Sequence, residues 1–216
     1  MKKYLPFAFV FLFTFNCKKV NNDVNPTEVS ISEEPPKPKD YRLFLNELGV
    51  EKLTAIEKRN LFFSFINQDI PNYWTGTKWD FNGNTRLPQQ GKIACGYFIT
   101  NTLSDFGLKI NRIHLAQEPS SKMIKKLCNR KSIRRFADFN QLKKYLSNGL
   151  KQEIFIIGLD YHTGFIIKDE NNFYFLHSNY IQKEGVVKEK IENSKALHAS
   201  KSFMIGSLTQ NTSLFE

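Results

Sequence analysis

The spacing of apolar residues changes from helical to strand-like near Gln152, and this change constrains the fold most strongly. Before it, apolar residues recur at helical spacing between capping residues and glycines. After it come short runs rich in β-branched and aromatic residues, separated by polar turns. The strand-like runs are Ile154–Ile157, Gly164–Ile167, Phe173–Leu176, Val186–Val187 and Phe203–Leu208. Helices followed by hairpin-connected strands indicate an α+β fold with an antiparallel sheet.

The helical half of the chain is marked by residues that can cap helix N-termini. The predicted helices begin at Asp40, at the capping box of Thr54 and Glu57, at Ser120 and at Asp138. Residues 108–113 alternate between apolar and polar side chains, which predicts a strand within this half.

Cys95 stands at the start of another short predicted helix, which ends at Gly107. Phe98, Leu103 and Phe106 can share one face of this helix, and Gly107 occupies the position of a C-terminal capping glycine. In the first turn, free backbone N–H groups and the positive end of the helix dipole favour a thiolate over a thiol. We therefore expect Cys95 to be a nucleophile with a lowered pKa.

Two other interpretations of Cys95 stay open. A lone cysteine is commonly a small buried apolar residue. In an oxidising compartment, Cys95 and Cys128 could instead form a disulfide, if their geometry allows it. The catalytic interpretation requires a base in addition to the thiol.

Two histidines in the strand region can supply that base. His162 stands at the start of one predicted strand and His177 at the end of the next, with a hairpin turn at residues 168–172 between them. Antiparallel pairing brings both to the same end of the ladder. His177 could then orient His162 while His162 takes a proton from Cys95, which is the logic of a catalytic triad.

The order of these residues resembles that of the NlpC-type papain-like cysteine peptidases. The resemblance is carried by Cys95, His162-Thr-Gly164-Phe-Ile, Phe175-Leu-His177-Ser178 and the upstream Tyr73-Trp74-Thr-Gly76. It implies a papain-like fold, with helices packed on an antiparallel β-sheet. It also implies Cys95 as nucleophile, His162 as base and His177 as orienting residue, with no metal or cofactor. The implied reaction is cleavage of a peptide or amide bond, usually in bacterial peptidoglycan. The alternative is a non-catalytic protein of the same fold that binds cell-wall polymer or a protein partner.

The stretch between residues 72 and 91 is irregular and rich in aromatic residues and glycine, as functional loops often are. Five side chains are expected to line a substrate cleft: Tyr73, Trp74, Trp79, Asp80 and Tyr97. An aromatic side chain in such a loop can also hold the loop against the core.

The N-terminus has the pattern of an export signal. A charged start is followed by an apolar run from Tyr4 to Phe15, which is shorter than the roughly 20 residues of a membrane-spanning helix. The run ends at Thr14-Phe15-Asn16-Cys17, which resembles a bacterial lipoprotein signal with a lipidated cysteine. An ordinary cleaved signal and an uncleaved anchor are the other interpretations.

These features predict three segments. Residues 1–16 are expected to be a signal peptide, and residues 17–39 a disordered polar tether that begins at the lipidated Cys17. Residues 40–216 are expected to form the hydrolase domain, held at the bacterial cell envelope by the N-terminal lipid.

The chain of 216 residues has a formal net charge of +10. Such a charge attracts polyanions, but export makes nucleic acid an unlikely partner. The expected partners are a cell-wall peptide or other amide substrate, and the membrane. The most basic part of the sequence is residues 122–144, which form either solvated helix faces or a docking surface for an anionic polymer or lipid head groups.

Overall fold

The structure is a computed structural model that describes residues 40–216. The expected signal peptide, the lipidated Cys17 and the tether lie outside the described residues. The α-helices are α1 (Tyr41–Glu47), α2 (Ala55–Ser64), α3 (Ile70–Trp74), α4 (Cys95–Asp105), α5 (Arg112–Gln117), α6 (Ser120–Leu127), α7 (Phe139–Leu146) and α8 (Lys195–Ala199). The strands are β1 (Lys78–Trp79), β2 (Lys92–Ile93), β3 (Arg134–Phe136), β4 (Gln152–Gly158), β5 (Thr163–Asp169), β6 (Asn172–Asn179), β7 (Gly185–Lys190) and β8 (Phe203–Ser207). Within this part of the chain, no helix has both the length and the apolar character needed to cross a membrane.

Six strands form one antiparallel sheet in the order β3-β8-β4-β5-β6-β7. Strands β4 to β7 are neighbours in sequence and in space, whereas β8 returns to lie between β3 and β4. The predicted hairpin at residues 168–172 joins β5 to β6, with Asp169 opposite Asn172. The α+β class, with helices and an antiparallel sheet, is confirmed. Strands β1 and β2 form a separate parallel pair.

The sheet is buried on both faces. Phe165 and Leu176 belong to the apolar cluster that includes the buried side of α4. Their neighbours Ile166 and Phe175 belong to a second cluster, which includes residues of α7 and α8. Because side chains alternate along a strand, the two clusters lie on opposite faces of β5 and β6.

Most of the predicted helix caps are formed. Thr54 and Glu57 make a reciprocal capping box at the start of α2. Asp40 and Asp138 accept hydrogen bonds from backbone N–H groups in the first turns of α1 and α7. The expectation that Ser120 caps a helix is wrong, because Ser120 is the first residue inside α6.

The predicted strand at residues 108–113 is also wrong, because helix α5 begins at Arg112. The Asn111 side chain accepts a hydrogen bond from the backbone N–H of His114. The Asn111 cap stabilises the start of α5, and this outweighs an apolar–polar alternation that spans only residues 108–113.

A π-helical turn, Phe65–Asp69, separates α2 from α3. Within it, the carbonyl and side-chain oxygens of Asn67 accept hydrogen bonds from Lys188 Nζ at 2.7 and 2.6 Å. The Asn67 side-chain amide donates to Asp169 at 3.2 Å. These bonds tie the helical half of the domain to strands β5 and β7.

Candidate catalytic site

Cys95 is the first residue of α4, as the sequence predicted. The N-cap residue, Ala94, offers no side-chain acceptor to the helix start. The backbone N–H groups of Gly96 and Thr163 lie near the Cys95 sulfur and act to lower its pKa. Thr163 directly follows His162, so the sulfur lies beside the strand end that carries the first histidine.

The expectation of a lowered thiol pKa is wrong for this state of the protein. Burial raises the pKa of Cys95, and the backbone N–H groups at its sulfur offset only part of that effect. Desolvation of the thiolate therefore outweighs the helix start. The resting group is a thiol at neutral pH.

The alternative of a Cys95–Cys128 disulfide is also wrong, because both cysteines are free. Cys128 is buried against Gly206 of β8, and burial raises the pKa of its thiol. No hydrogen bond offsets this effect in the surroundings described for Cys128.

The structure brings the two predicted histidines together. His162 Nε2 and His177 Nδ1 are 2.7 Å apart, which is the distance of a short hydrogen bond. The pairing of Phe165 with Leu176 fixes the register of β5 and β6. Continued by one residue, this register sets His177 across from Gly164 and makes His162 its diagonal neighbour on the same face.

Gly164 provides the space for this contact. A Cβ atom at this position would lie 2.7 Å from His177 Cβ and 2.5 Å from Phe175 Cε2. The Phe175 and His177 rings stack across this gap with their centroids 3.9 Å apart. The glycine two residues after His162 therefore has a steric reason, because a side chain there would displace the second imidazole.

A third group extends the pair. His177 Nε2 lies 3.0 Å from Glu189 Oε1 on the adjacent strand β7. No sequence motif marks Glu189, and its position in the structure depends on its pairing with Phe175. Glu189 could have been identified by extending the predicted strand at Val186 as far as Lys190 and pairing it with the strand that carries His177.

Burial controls the charge of these three groups. It lowers the pKa of His162 well below its ordinary value, and the nearby His177 lowers it further. Burial also lowers the pKa of His177, although the bond to Glu189 opposes the effect. Burial alone would raise the pKa of Glu189, but hydrogen bonds from His177 and Ser194 lower it on balance. Two neutral imidazoles beside a carboxylate therefore dominate near neutral pH.

The second ring nitrogen of His162, Nδ1, makes no hydrogen bond to the described residues, although it is buried. It follows that the Cys95 sulfur is not hydrogen-bonded to this nitrogen in the resting structure. The imidazoles lie on the Phe175 face of the sheet, whereas α4, which carries Cys95, packs on the opposite face. The structure therefore brings the two histidines together but does not bring Cys95 to them.

Two aromatic rings extend from the histidines toward the loop before Cys95. The Tyr180 ring centroid lies 5.0 Å from that of His162, and the Trp79 centroid lies 6.4 Å from that of Tyr180. Trp79 also pairs with Ile93, two residues before Cys95. Of the aromatic cleft candidates, Trp79 is thus the one that these contacts connect to the site.

Trp74 is wrong as a cleft residue. Its side chain is fully buried, and its ring packs against Phe98 and Tyr41. Tyr73 packs its ring against Tyr41 and Phe44, with centroids 5.1 and 5.0 Å away. Both residues therefore help to attach α1 to the core.

Asp80 and Tyr97 have local partners. The Asp80 carboxylate accepts hydrogen bonds from the Asn82 backbone and from Lys92 Nζ, which lower its pKa. The Tyr97 hydroxyl accepts a hydrogen bond from Gln117, at the end of α5. These contacts hold the loop before α4 and the α4–α5 pair, so they position the surroundings of Cys95.

A cavity of about 500 Å³ opens at the β4–β5 turn. Its lining includes Ser120, Gly158 and Tyr161. Tyr161 directly precedes His162 and is 93% exposed. The lining of this cavity stops at Tyr161 and includes neither His162 nor Cys95.

In the basic region at residues 122–144, some side chains form ion pairs and others line a cavity. Lys122 pairs with Glu118 at 3.0 Å, and Lys143 pairs with Glu192 at 2.7 Å. A second cavity, of about 540 Å³, is lined by Lys125, Cys128, Arg130, Ile133, Arg135 and Met204. Part of the basic charge is therefore matched at the surface of the domain.

Within residues 40–216, no group of three or more histidine, cysteine, aspartate or glutamate side chains is placed to hold a metal ion. The chain matches no protein-family model, no curated protein and no solved structure.

Proposed function

We propose that this protein is a cysteine hydrolase that cleaves a peptide or amide bond, with Cys95 as nucleophile, His162 as base and His177 as orienting residue. The observation that carries the proposal is the 2.7 Å contact between the histidines. It occupies Nε2 of His162 and leaves Nδ1 buried without a partner among the described residues. An unpaired buried polar nitrogen is costly, and a role in accepting a proton gives it a reason.

The proposed reaction has two halves. His162 Nδ1 takes the proton of the Cys95 thiol as the sulfur attacks the carbonyl carbon, and N–H groups at the start of α4 stabilise the oxyanion. The carbon–nitrogen bond then breaks, and His162 returns the proton to the leaving amine. Water then attacks the thioester carbonyl and gives a proton to His162, the carbon–sulfur bond breaks, and His162 returns the proton to the sulfur, which restores the thiol and releases the acid.

The raised pKa of Cys95 fits one form of this mechanism. The thiol loses its proton during the attack, by general-base catalysis, and not beforehand. In the resting structure α4 and the imidazoles lie on opposite faces of the sheet. This mechanism therefore requires substrate binding to shift the start of α4 or the end of β5 until the sulfur comes within hydrogen-bond reach of His162 Nδ1.

We further propose a papain-like (NlpC-type) arrangement, a peptidoglycan substrate, and export with lipid anchoring at Cys17. The first is supported by a helix-start cysteine followed by two histidines on neighbouring antiparallel strands. The second follows from the resemblance of the sequence motifs. The third is supported by the apolar run and Cys17 in the sequence.

A second candidate is a non-catalytic lipoprotein of the same fold that binds cell-wall polymer or a protein partner. It is favoured by the raised pKa of Cys95 and by the lack of a thiol–imidazole hydrogen bond among the described side chains. A protein that only binds needs neither an ionisable sulfur nor a base beside it.

The deciding experiment compares Cys95→Ser with the matched control Cys128→Ser on purified peptidoglycan and on a model peptide amide. We expect Cys95→Ser to lose turnover, while Cys128→Ser retains it because its sulfur only packs against β8. Undiminished turnover by Cys95→Ser would exclude the proposed nucleophile. Binding of peptidoglycan by the wild-type protein without any turnover would favour the second candidate.

A further inference from the structure

We propose that Glu189 is a positioning residue that fixes which ring nitrogens of His177 and His162 carry hydrogen. By doing so it leaves the unshared electron pair of His162 on Nδ1. The role of that nitrogen toward Cys95 rests on the proposed function. The hydrogen pattern itself can be measured without any substrate.

The ionised state of Glu189 determines which nitrogen of His177 carries hydrogen. Glu189 is part-buried and its pKa lies below the ordinary value for glutamate, so it is ionised near neutral pH. An ionised carboxylate can only accept hydrogen bonds. Its Oε1 lies 3.0 Å from His177 Nε2. That nitrogen must therefore carry a hydrogen atom and donate it.

The neutral state of His177 then determines which nitrogen of His162 carries hydrogen. A neutral imidazole carries one hydrogen, so a hydrogen on Nε2 leaves Nδ1 as an acceptor. His177 Nδ1 lies 2.7 Å from His162 Nε2. His162 Nε2 must then be the donor, and the neutral His162 has no hydrogen on Nδ1.

The reverse pattern shows why the carboxylate matters. If His177 carried its hydrogen on Nδ1, His162 Nε2 would become the acceptor, and the hydrogen of His162 would move to Nδ1. That nitrogen could no longer take a proton from a thiol. Without an acceptor at residue 189, the two patterns would compete, and only one of them is competent.

The surroundings of Glu189 support this role. It is paired across the strands with Phe175, whose ring stacks on His177. The nearby Ser194 hydroxyl lowers the pKa of its carboxyl group. The other charged or titratable groups that act on the chain of bonds are Glu184, near His177, and His198, near Glu189.

The test is ¹⁵N-histidine NMR of the full chain near neutral pH, which reports the hydrogen on each ring nitrogen. The chain has four histidines, and the exposed His114 serves as the internal reference. We expect wild-type His162 to carry hydrogen on Nε2 alone. Glu189→Leu should show a mixture of patterns or the reverse one. The control Glu192→Leu should match wild type, because that carboxylate pairs with Lys143 at the surface.

Hydrogen on Nδ1 of wild-type His162 would overturn the inference, even if Glu189→Leu does not fold. An unchanged pattern in a folded Glu189→Leu variant would overturn it as well. In an active enzyme, Glu189→Leu should reduce kcat by a factor on the order of 10² to 10⁴, as expected for a base held in the wrong tautomer. The expected pattern in a wild-type protein without turnover would support the role of Glu189 and reject the proposed function. Unchanged turnover in Glu189→Leu would reject the role of Glu189 and leave the proposed function intact.

Discussion

The hydroxyl of Ser178 donates a hydrogen bond to the carbonyl oxygen of Ile93 at 2.7 Å. Both residues are fully buried. Ser178 follows His177 on β6, and Ile93 precedes Cys95 by two residues. This bond therefore ties the strand of the second histidine to the segment that delivers the cysteine, and it sets the relative position of the two halves of the site.

Ser178→Ala should weaken both the fold and the site. The Ile93 carbonyl would be left buried without its partner, which costs about 1–3 kcal/mol. The Cys95 segment would also lose its tie to β6, so kcat should fall more than the loss of stability explains. Urea denaturation and steady-state kinetics measure the two effects. The control is Ser104→Ala, a partly buried position in α4, and equal effects at both positions would contradict this role.

Gly164→Ala should disrupt the histidine pair. The added methyl group would meet Phe175 and His177, and overpacking of this kind costs about 1–3 kcal/mol. Because the strand and its ladder limit how far the backbone can move, the His177 ring should be displaced. We expect loss of the His162–His177 hydrogen bond in NMR spectra, together with loss of turnover. A variant that keeps both would show that the glycine is not needed for the contact.

The two tryptophans should respond differently to substitution by alanine. Trp74→Ala removes a fully buried ring and should cost about 3–5 kcal/mol, with its effect on activity following from instability. Trp79→Ala should cost less, because the ring is partly exposed, and should change KM or kcat through Tyr180 and His162. Chemical denaturation and kinetics at a temperature where both variants are folded separate the cases. Identical profiles would remove Trp79 from the site.

The buried histidines should make stability fall in mild acid. Burial lowers the pKa of His162 and His177 in the folded protein, whereas an unfolded histidine titrates near pH 6.5. The unfolded chain therefore binds more protons than the folded one below about pH 6.5, and the free energy of unfolding decreases as the pH falls toward the folded pKa values. A His162→Gln/His177→Gln double variant should lose less stability over this range. The same pH slope in both proteins would argue against buried neutral imidazoles.

Local signals in the sequence were sufficient to predict much of the fold. The strand runs, the hairpin at residues 168–172 and the caps at Asp40, Thr54 and Asp138 depend on neighbours within a few positions. The start of α4 at Cys95 and the closeness of His162 and His177 also followed, because a hairpin leaves few possible registers.

Other features depend on partners far away in the chain. The pKa of Cys95 is set by burial, which helix position alone does not reveal. Glu189 reaches His177 through the β6–β7 register. Trp74 has the surroundings of a loop aromatic in the sequence, but the helix that contains it extends to that residue and turns the ring into the core.

The π turn at Phe65–Asp69 connects the N-terminal helices to the strand that carries Glu189. It presents Asn67 to Lys188, the residue next to Glu189 on the outermost strand of the sheet. Deleting one residue from this turn would rotate the following helix by about 100°. The hydrogen bonds between Asn67 and Lys188 of β7 would then be lost. The helices that open the domain therefore stabilise the sheet. A shortened chain that begins at Cys95 would lose the Asn67–Lys188 hydrogen bonds and hold the Glu189 carboxylate less rigidly.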